Sequence, residues 1–248
     1  MCTILVAHRC VPTAPIVLVA NRDERRDRPS APPAVLPGSD PPVLAGRDLT
    51  AGGTWLGCQA GGLVAALTNR RSGDAPDPGR RSRGHLPIEA LRLDRAADAT
   101  AWLQHLDPGA FNPFNLLVAD RVDAVVAESD GTTLRLTPLA PGVHTLTVDG
   151  LDALPQALAQ HVQPRLAAAG RATSAGRCRA QLRALSRWHD PSGAAAGFCH
   201  HGTVYGTVST AHCVLGAEGD WRFWYGPGLA CQAPPVAVPL PWERSPGP

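Results

Sequence analysis

The residue whose type and place allow chemistry is Cys2. A small second residue permits removal of the initiator methionine, which here would leave Cys2 with a thiol and a free α-amine on one carbon. An α-amine titrates near pKa ~7.7–8.0 and a thiol near ~8.5, so one residue would hold both a nucleophile and the base that activates it. A charged cluster, Asn21-Arg22-Asp23-Glu24, follows further along the chain. Two β-branched, nearly continuous apolar runs lie between, Thr3-Ile4-Leu5-Val6-Ala7 and Ile16-Val17-Leu18-Val19-Ala20, and both read as buried strands. Val11-Pro12-Thr13-Ala14-Pro15 separates them and suits a turn. In such a hairpin paired positions sum to roughly 24–26, which sets Cys2 opposite Arg22, Asp23 or Glu24. The bland alternative is a retained methionine and a solvated charge run continuing through Arg25, Arg26, Asp27 and Arg28.

The elements that must position these residues belong to a chain of 248 residues, long enough to bury a substantial core. Its 25 glycines and 25 prolines imply many turns. A net charge of +2 gives no electrostatic case for nucleic acid. No apolar run approaches the ~20 residues of a membrane span, and no signal peptide is read, so a cytoplasmic protein is expected. All 23 basic residues are arginine, which excludes lysine chemistry such as a Schiff base or a phosphate-loop lysine. The seven cysteines are scattered without a C-x-x-C pair, which gives no support for a zinc ribbon and favours reduced thiols. Cys199-His200-His201 would meet His212-Cys213 only across a hairpin. Adjacent residues on a strand face opposite ways, so at most some of these converge, and no metal or cofactor is assigned.

Residues 29–50, rich in Pro, Gly and Asp, read as a surface loop. Gly52-Gly53-Thr54-Trp55-Leu56-Gly57 and Gly61–Asn69 read as a second hairpin turning at Gln59–Gly62 and ending on Asn69, followed by a polar, Arg-rich loop over 70–85. Helical spacing over Leu86–Leu106 predicts one or two helices. Strand-like runs at Asn115–Ala119, Ala124–Ala127, Leu134–Thr137 and His144–Thr147 suggest an antiparallel meander. Two helices over Leu154–Ala169 and Ser174–Trp188 and a strand pair, Gly202–Val214 and Trp221–Tyr225, complete an α+β pattern. One domain over 1–248 is expected, with 234–248 an extended surface tail.

Met1-Cys2-Thr3, Asn21-Arg22-Asp23-Glu24, Gly52–Gly57, Ala66-Leu67-Thr68-Asn69, Ser82-Arg83-Gly84 and Phe114-Asn115-Leu116-Leu117 together resemble the NRDE family, also called the Transport and Golgi organization family. The resemblance is dense through residue 120 and weak afterwards. That family is similar to N-terminal-nucleophile cysteine hydrolases, relatives of penicillin acylases and bile-salt hydrolases. The likeness implies a four-layer αββα sandwich of antiparallel sheets with the nucleophile on the first strand. It implies Cys2 as nucleophile, Asp23 as the group that orients its amine, and Asn69 as an oxyanion donor. It further implies Arg22 as the residue that lowers the thiol pKa or binds a substrate carboxylate, with Asn21, Glu24, Thr54 and Trp55 as further substrate contacts.

Two departures from the family pattern stand out. Relatives carry an Asn after a Leu-Ser pair, where this chain reads Leu146-Thr147-Val148, and an Arg in Tyr-Gly-Thr-Arg-Ser-Ser, where it has Val208. Valine donates no hydrogen bond, so either those donors come from elsewhere or the chemistry is altered. Two functions therefore compete, with a catalytically silent structural subunit as a weaker third. One is a hydrolase or acyltransferase acting on a small amide or acyl substrate through a Cys2 thioester. The other is a non-catalytic carrier of heme or of acyl-coenzyme A or lipid, using the same pocket.

Overall fold

In the computed structural model, which describes residues 2–189, 197–232 and 234–242, strands β1 (Thr3–Val11) and β2 (Ala14–Arg25) form the expected hairpin. Thr3 pairs with Asn21 and Ile4 with Ala20, so partners sum to 24 and the ladder continues toward Cys2 against Arg22. The strands that follow are β3 (Ser30–Val35), β4 (Val43–Asp48), β5 (Leu56–Gln59) and β6 (Val64–Asn69). Helices α1 (His85–Ala90) and α2 (Ala96–Gln104) lead into β7 (Phe114–Ala119), β8 (Ala124–Ser129), β9 (Leu134–Pro138), β10 (Gly142–Thr147) and β11 (Gly150–Leu151). Helices α3 (Gln156–Gly170) and α4 (Ala175–Ser186) precede β12 (Tyr205–Leu215), β13 (Trp221–Pro227) and β14 (Val236–Val238).

The strands make two seven-stranded antiparallel sheets, ordered β11-β10-β1-β2-β12-β13-β14 and β3-β4-β5-β6-β7-β8-β9. Side-chain parity shows how they stack. Ile4, Val6, Ile16 and Leu18 pack against Leu56, Val64, Ala66 and Leu117 of the other sheet. Their neighbours Leu5, Ala7, Val17 and Val19 face Leu158 and Val162 of α3 and Leu182 and Leu185 of α4. In the second sheet Ala65, Leu116 and Val118 face Leu86 of α1 and Leu103 of α2. The layers therefore run helix, sheet, sheet, helix. Strands covered on both faces need apolar residues at every position, which is why β1 and β2 read as continuous runs in spite of being antiparallel.

Three expectations change. The 29–50 stretch is not a loop but contains β3 and β4. Pro32 and Pro33 lie where the β3–β4 register shifts between Ala31 and Ala34, and β3 is an edge strand, so their missing N–H groups cost the ladder little. The meander stops at β9, because β10 crosses to the other sheet and pairs with β1. The tail is not wholly on the surface: β14 adds to the edge at β13, and Leu240 is buried in the core between the sheets, while 243–248 lie outside the described residues.

Candidate active site

The even-numbered residues of β1 and β2 face between the sheets, and Cys2 and Arg22 continue that parity at the open end of the sandwich. Two cavities meet there, and Cys2 lines both. The polar one, about 110 Å³, is bounded by Arg22, Asp23, Glu24, Thr54, Trp55, Asn69 and Arg83. The other, about 90 Å³, has an apolar wall of Val148, Leu154, Leu158 and Phe198, with Arg71 and His200 at its polar side.

Each wall residue is held for a local reason. Trp55 belongs to the core between the sheets and also bounds the cavity; its ring lies under the Arg22 guanidinium at 4.4 Å. Arg22 is itself buried, with Glu24 3.9 Å away and Ser30 accepting from Nη1 at 3.4 Å. Thr54 donates its hydroxyl to Leu56 O at 3.0 Å, and its N–H donates to Gly84 O at 2.9 Å, which draws the 82–84 segment over the cavity. Asn69 is exposed at the end of β6.

Asp23 is buried beneath Cys2. Its Oδ1 accepts the Thr207 hydroxyl at 2.6 Å, its Oδ2 lies 3.5 Å from His200 Nε2, and its carbonyl accepts the Tyr205 hydroxyl at 2.7 Å. Burial pushes its carboxyl up to about 7, opposed in part by the Thr207 hydrogen bond. Burial likewise raises the Cys2 thiol, and the Asp23 charge adds to this, while the Asp23 main-chain N–H and the Arg22 guanidinium favour the thiolate. Burial thus favours the thiol form over the thiolate, which a nearby base would oppose.

Asn21 stands apart from both cavities. Its odd parity turns it to the helix side, where its amide donates to Ser186 O and Phe198 O at 2.7 Å each. It closes the C-terminal end of α4 and fixes the segment that carries His200. His212 and Cys213 do not join Cys199-His200-His201. Both are buried within β12, and His212, pushed down to about 3 by burial and by Arg179 and Arg183, meets Arg179 at 3.3 Å.

Arg71, Arg83 and His200 line the cavities although sequence alone assigns none of them a role there: Arg83 stands only within the Ser82-Arg83-Gly84 motif and His200 only within the Cys199-His200-His201 run. The Arg-rich composition of the 70–85 loop was the available signal. Arg71 is tied to the β10–β11 turn, with its N–H on Val148 O at 2.7 Å and Nε on Asp149 at 2.6 Å. Arg83 donates Nη1 to Pro113 O at 3.0 Å, and burial lowers its pKa while the nearby Cys2 and Glu24 charges raise it. Val148 is buried in the apolar wall, and Val208 is the bulged residue between Thr207 and Ser209, where β12 slips against β2.

The family model of Transport and Golgi organisation 2 matches residues 1–186. The Transport and Golgi organization protein 2 homolog of Bos taurus is 34% identical over 141 residues, 53% of this chain and 50% of that protein. The Mus musculus homolog is 36% identical over 110 residues, 42% of this chain and 38% of that protein. The matched stretch thus spans about half or less of these relatives' length. Among solved structures, the C2A mutant of conjugated bile acid hydrolase from Clostridium perfringens superposes with a TM-score of 0.51 at 11% identity, covering 97% of each chain. A Caenorhabditis elegans ortholog of N-acylethanolamine-hydrolyzing acid amidase gives 0.55 at 15% identity, covering 86% of this chain and 92% of that one. At such identities the likeness establishes the fold, an αββα sandwich shared with N-terminal-nucleophile hydrolases.

Proposed function

Because this chain belongs to the Transport and Golgi organisation 2 family and has the fold of N-terminal-nucleophile hydrolases, we propose that it cleaves or transfers the acyl group of a small amide or acyl substrate through a thioester on Cys2. The observation that carries the reading is the position of Cys2 on the wall shared by a polar and an apolar cavity, above buried Asp23. In this mechanism removal of Met1 frees the α-amine, which takes the thiol proton as sulfur attacks the carbonyl carbon. The carbonyl oxygen becomes an oxyanion, and Asn69 donates to it. The amine then passes the proton to the departing nitrogen. Water or an acceptor amine resolves the thioester. Asp23 holds the α-amine in place, Arg83 serves a substrate carboxylate, and the Val148–Leu158 wall takes an apolar acyl group.

The reading is tested by turnover of chromogenic amides. Asn69→Ala is expected to lower kcat by about 10²–10³, with little change in KM. A KM effect alone would remove Asn69 from the oxyanion role. The pH dependence carries a definite sign. Asp23 must be ionised to hold the amine, and the amine must be neutral to accept a proton, so kcat/KM rises with pH through the range in which an α-amine loses its proton, about 7.7–8.0. Asp23→Asn lowers the plateau and removes the Asp23 contribution to that rise; a profile that falls over the same range contradicts the assignment.

A second reading draws on the valines. With Val148 and Val208 in place of the family's Asn and Arg, the apolar wall suits a carrier of heme, acyl-coenzyme A or lipid. Heme binding with a Soret band that persists in Cys2→Ala, together with no amide turnover, favours the carrier.

A further inference from the structure

Behind the cleft a different group of side chains converges. Ligand atoms of His189, His201 and Cys231 all lie within 4.8 Å of one another. Cys231 Sγ is 3.2 Å from His201 Nε2, and Cys199 Sγ is 3.7 Å from the same nitrogen. The His189 and His201 rings are 4.5 Å apart and tilted by 56°. His200 reaches Asp23, while its neighbours Cys199 and His201 meet each other.

We propose that His189, His201 and Cys231 bind one divalent zinc-class ion, with Cys199, outside that three-residue group but 3.7 Å from His201 Nε2, moving in as fourth donor. Two imidazoles and two thiolates are the soft, four-donor set that zinc takes in structural sites. Bonds of about 2.3 Å to sulfur and about 2.0 Å to nitrogen at a tetrahedral angle put S and N about 3.5 Å apart. The two S···N separations, 3.2 and 3.7 Å, bracket that edge. Two thiolates neutralise a divalent charge. The surrounding cations are Arg187, whose Nη2 donates to Cys231 O at 3.1 Å, and Arg26, whose charge acts on His201 and whose Nε donates to Gly202 O at 2.9 Å. They offset a thiolate-rich site.

The ligands come from three places: the residue bridged to Gly197 after α4, the 199–201 stretch, and the turn following β13. An ion there fastens these together and fixes the stretch that presents Phe198 and His200 to the Cys2 cavity. Metal is thereby linked to the cleft through position, with no part in the bond-making steps.

Cobalt(II) titrated into the reduced, metal-stripped full chain is the direct probe. The expected result is one equivalent bound, with thiolate-to-cobalt charge transfer, tetrahedral d–d bands, and displacement of both by zinc. Cys231→Ser and His201→Gln, at partly or fully exposed positions, should weaken binding at least 10-fold and abolish the zinc-induced rise in melting temperature. Cys10→Ser, at the end of β1 opposite the cleft, should leave both unchanged. Absence of a one-equivalent cobalt complex in the folded reduced protein overturns the proposal. So does a complex that survives Cys231→Ser and His201→Gln together.

Discussion

Cys2→Ala is expected to lower amide turnover by about 10³-fold or more while moving the melting temperature by no more than about 2 °C. The two halves of this result have separate causes. Alanine is also a small second residue, so methionine removal proceeds and the α-amine remains; only sulfur is lost. Stability is spared because Cys2 is half-buried at the mouth of the sandwich, beyond the last paired residue of β1, and truncation leaves no closed cavity. Paired measurement of kcat and of the thermal midpoint decides the matter. Retained turnover would remove the thioester from the account, and a large drop in midpoint would make Cys2 a packing residue.

Gly53→Ala is expected to have a large structural effect. A Cβ at Gly53 falls 2.5 Å from Gly84 C and 2.7 Å from its Cα and O, so it meets main chain that no side-chain rotation relieves. The 82–84 segment must move, which breaks the Thr54 N–H to Gly84 O bond and carries Arg83 away from the cleft. Overpacking of this kind costs about 1–3 kcal/mol or more, and the main-chain collision puts Gly53 at the upper end. For a chain of this length that corresponds to roughly 6–12 °C in melting temperature, and substrate binding through Arg83 should weaken with it. Gly73→Ala, where a Cβ meets nothing within 4 Å, is the matched control and should be neutral within about 0.5 kcal/mol. Equal melting temperatures for the two variants would contradict the packing account.

Parts of the site were legible because strand periodicity carries distance information. Apolar runs and a proline turn gave a register window for the first hairpin, and the observed pairing of Thr3 with Asn21 lies at its edge. The same parity explains why Asn21 faces the helices while Arg22 lies over Trp55, a distinction that follows only once the strand's two faces have been assigned. β3 and β4 were hidden because prolines at a shifted register look the same in sequence as prolines in a loop. The crossing of β10 to the other sheet was equally hidden, since local pattern does not say which sheet a strand joins. Arg71 was obscured by its own loop, where arginines are abundant, and Arg83, although part of the Ser82-Arg83-Gly84 motif, takes its place at the cleft only through packing. Cys231 lies well beyond His201 in sequence and His189 precedes it without a paired motif, so the three are joined only by the fold.

The central claim is that Cys2 becomes the first residue and the reactive one. Intact mass of the purified native protein, before and after limited exposure to an acylating electrophile near neutral pH, addresses both at once. The account predicts a mass lacking Met1 and a single adduct that peptide mapping assigns to Cys2. Retention of Met1, or modification of Cys10 or Cys231 with Cys2 left untouched, would contradict it.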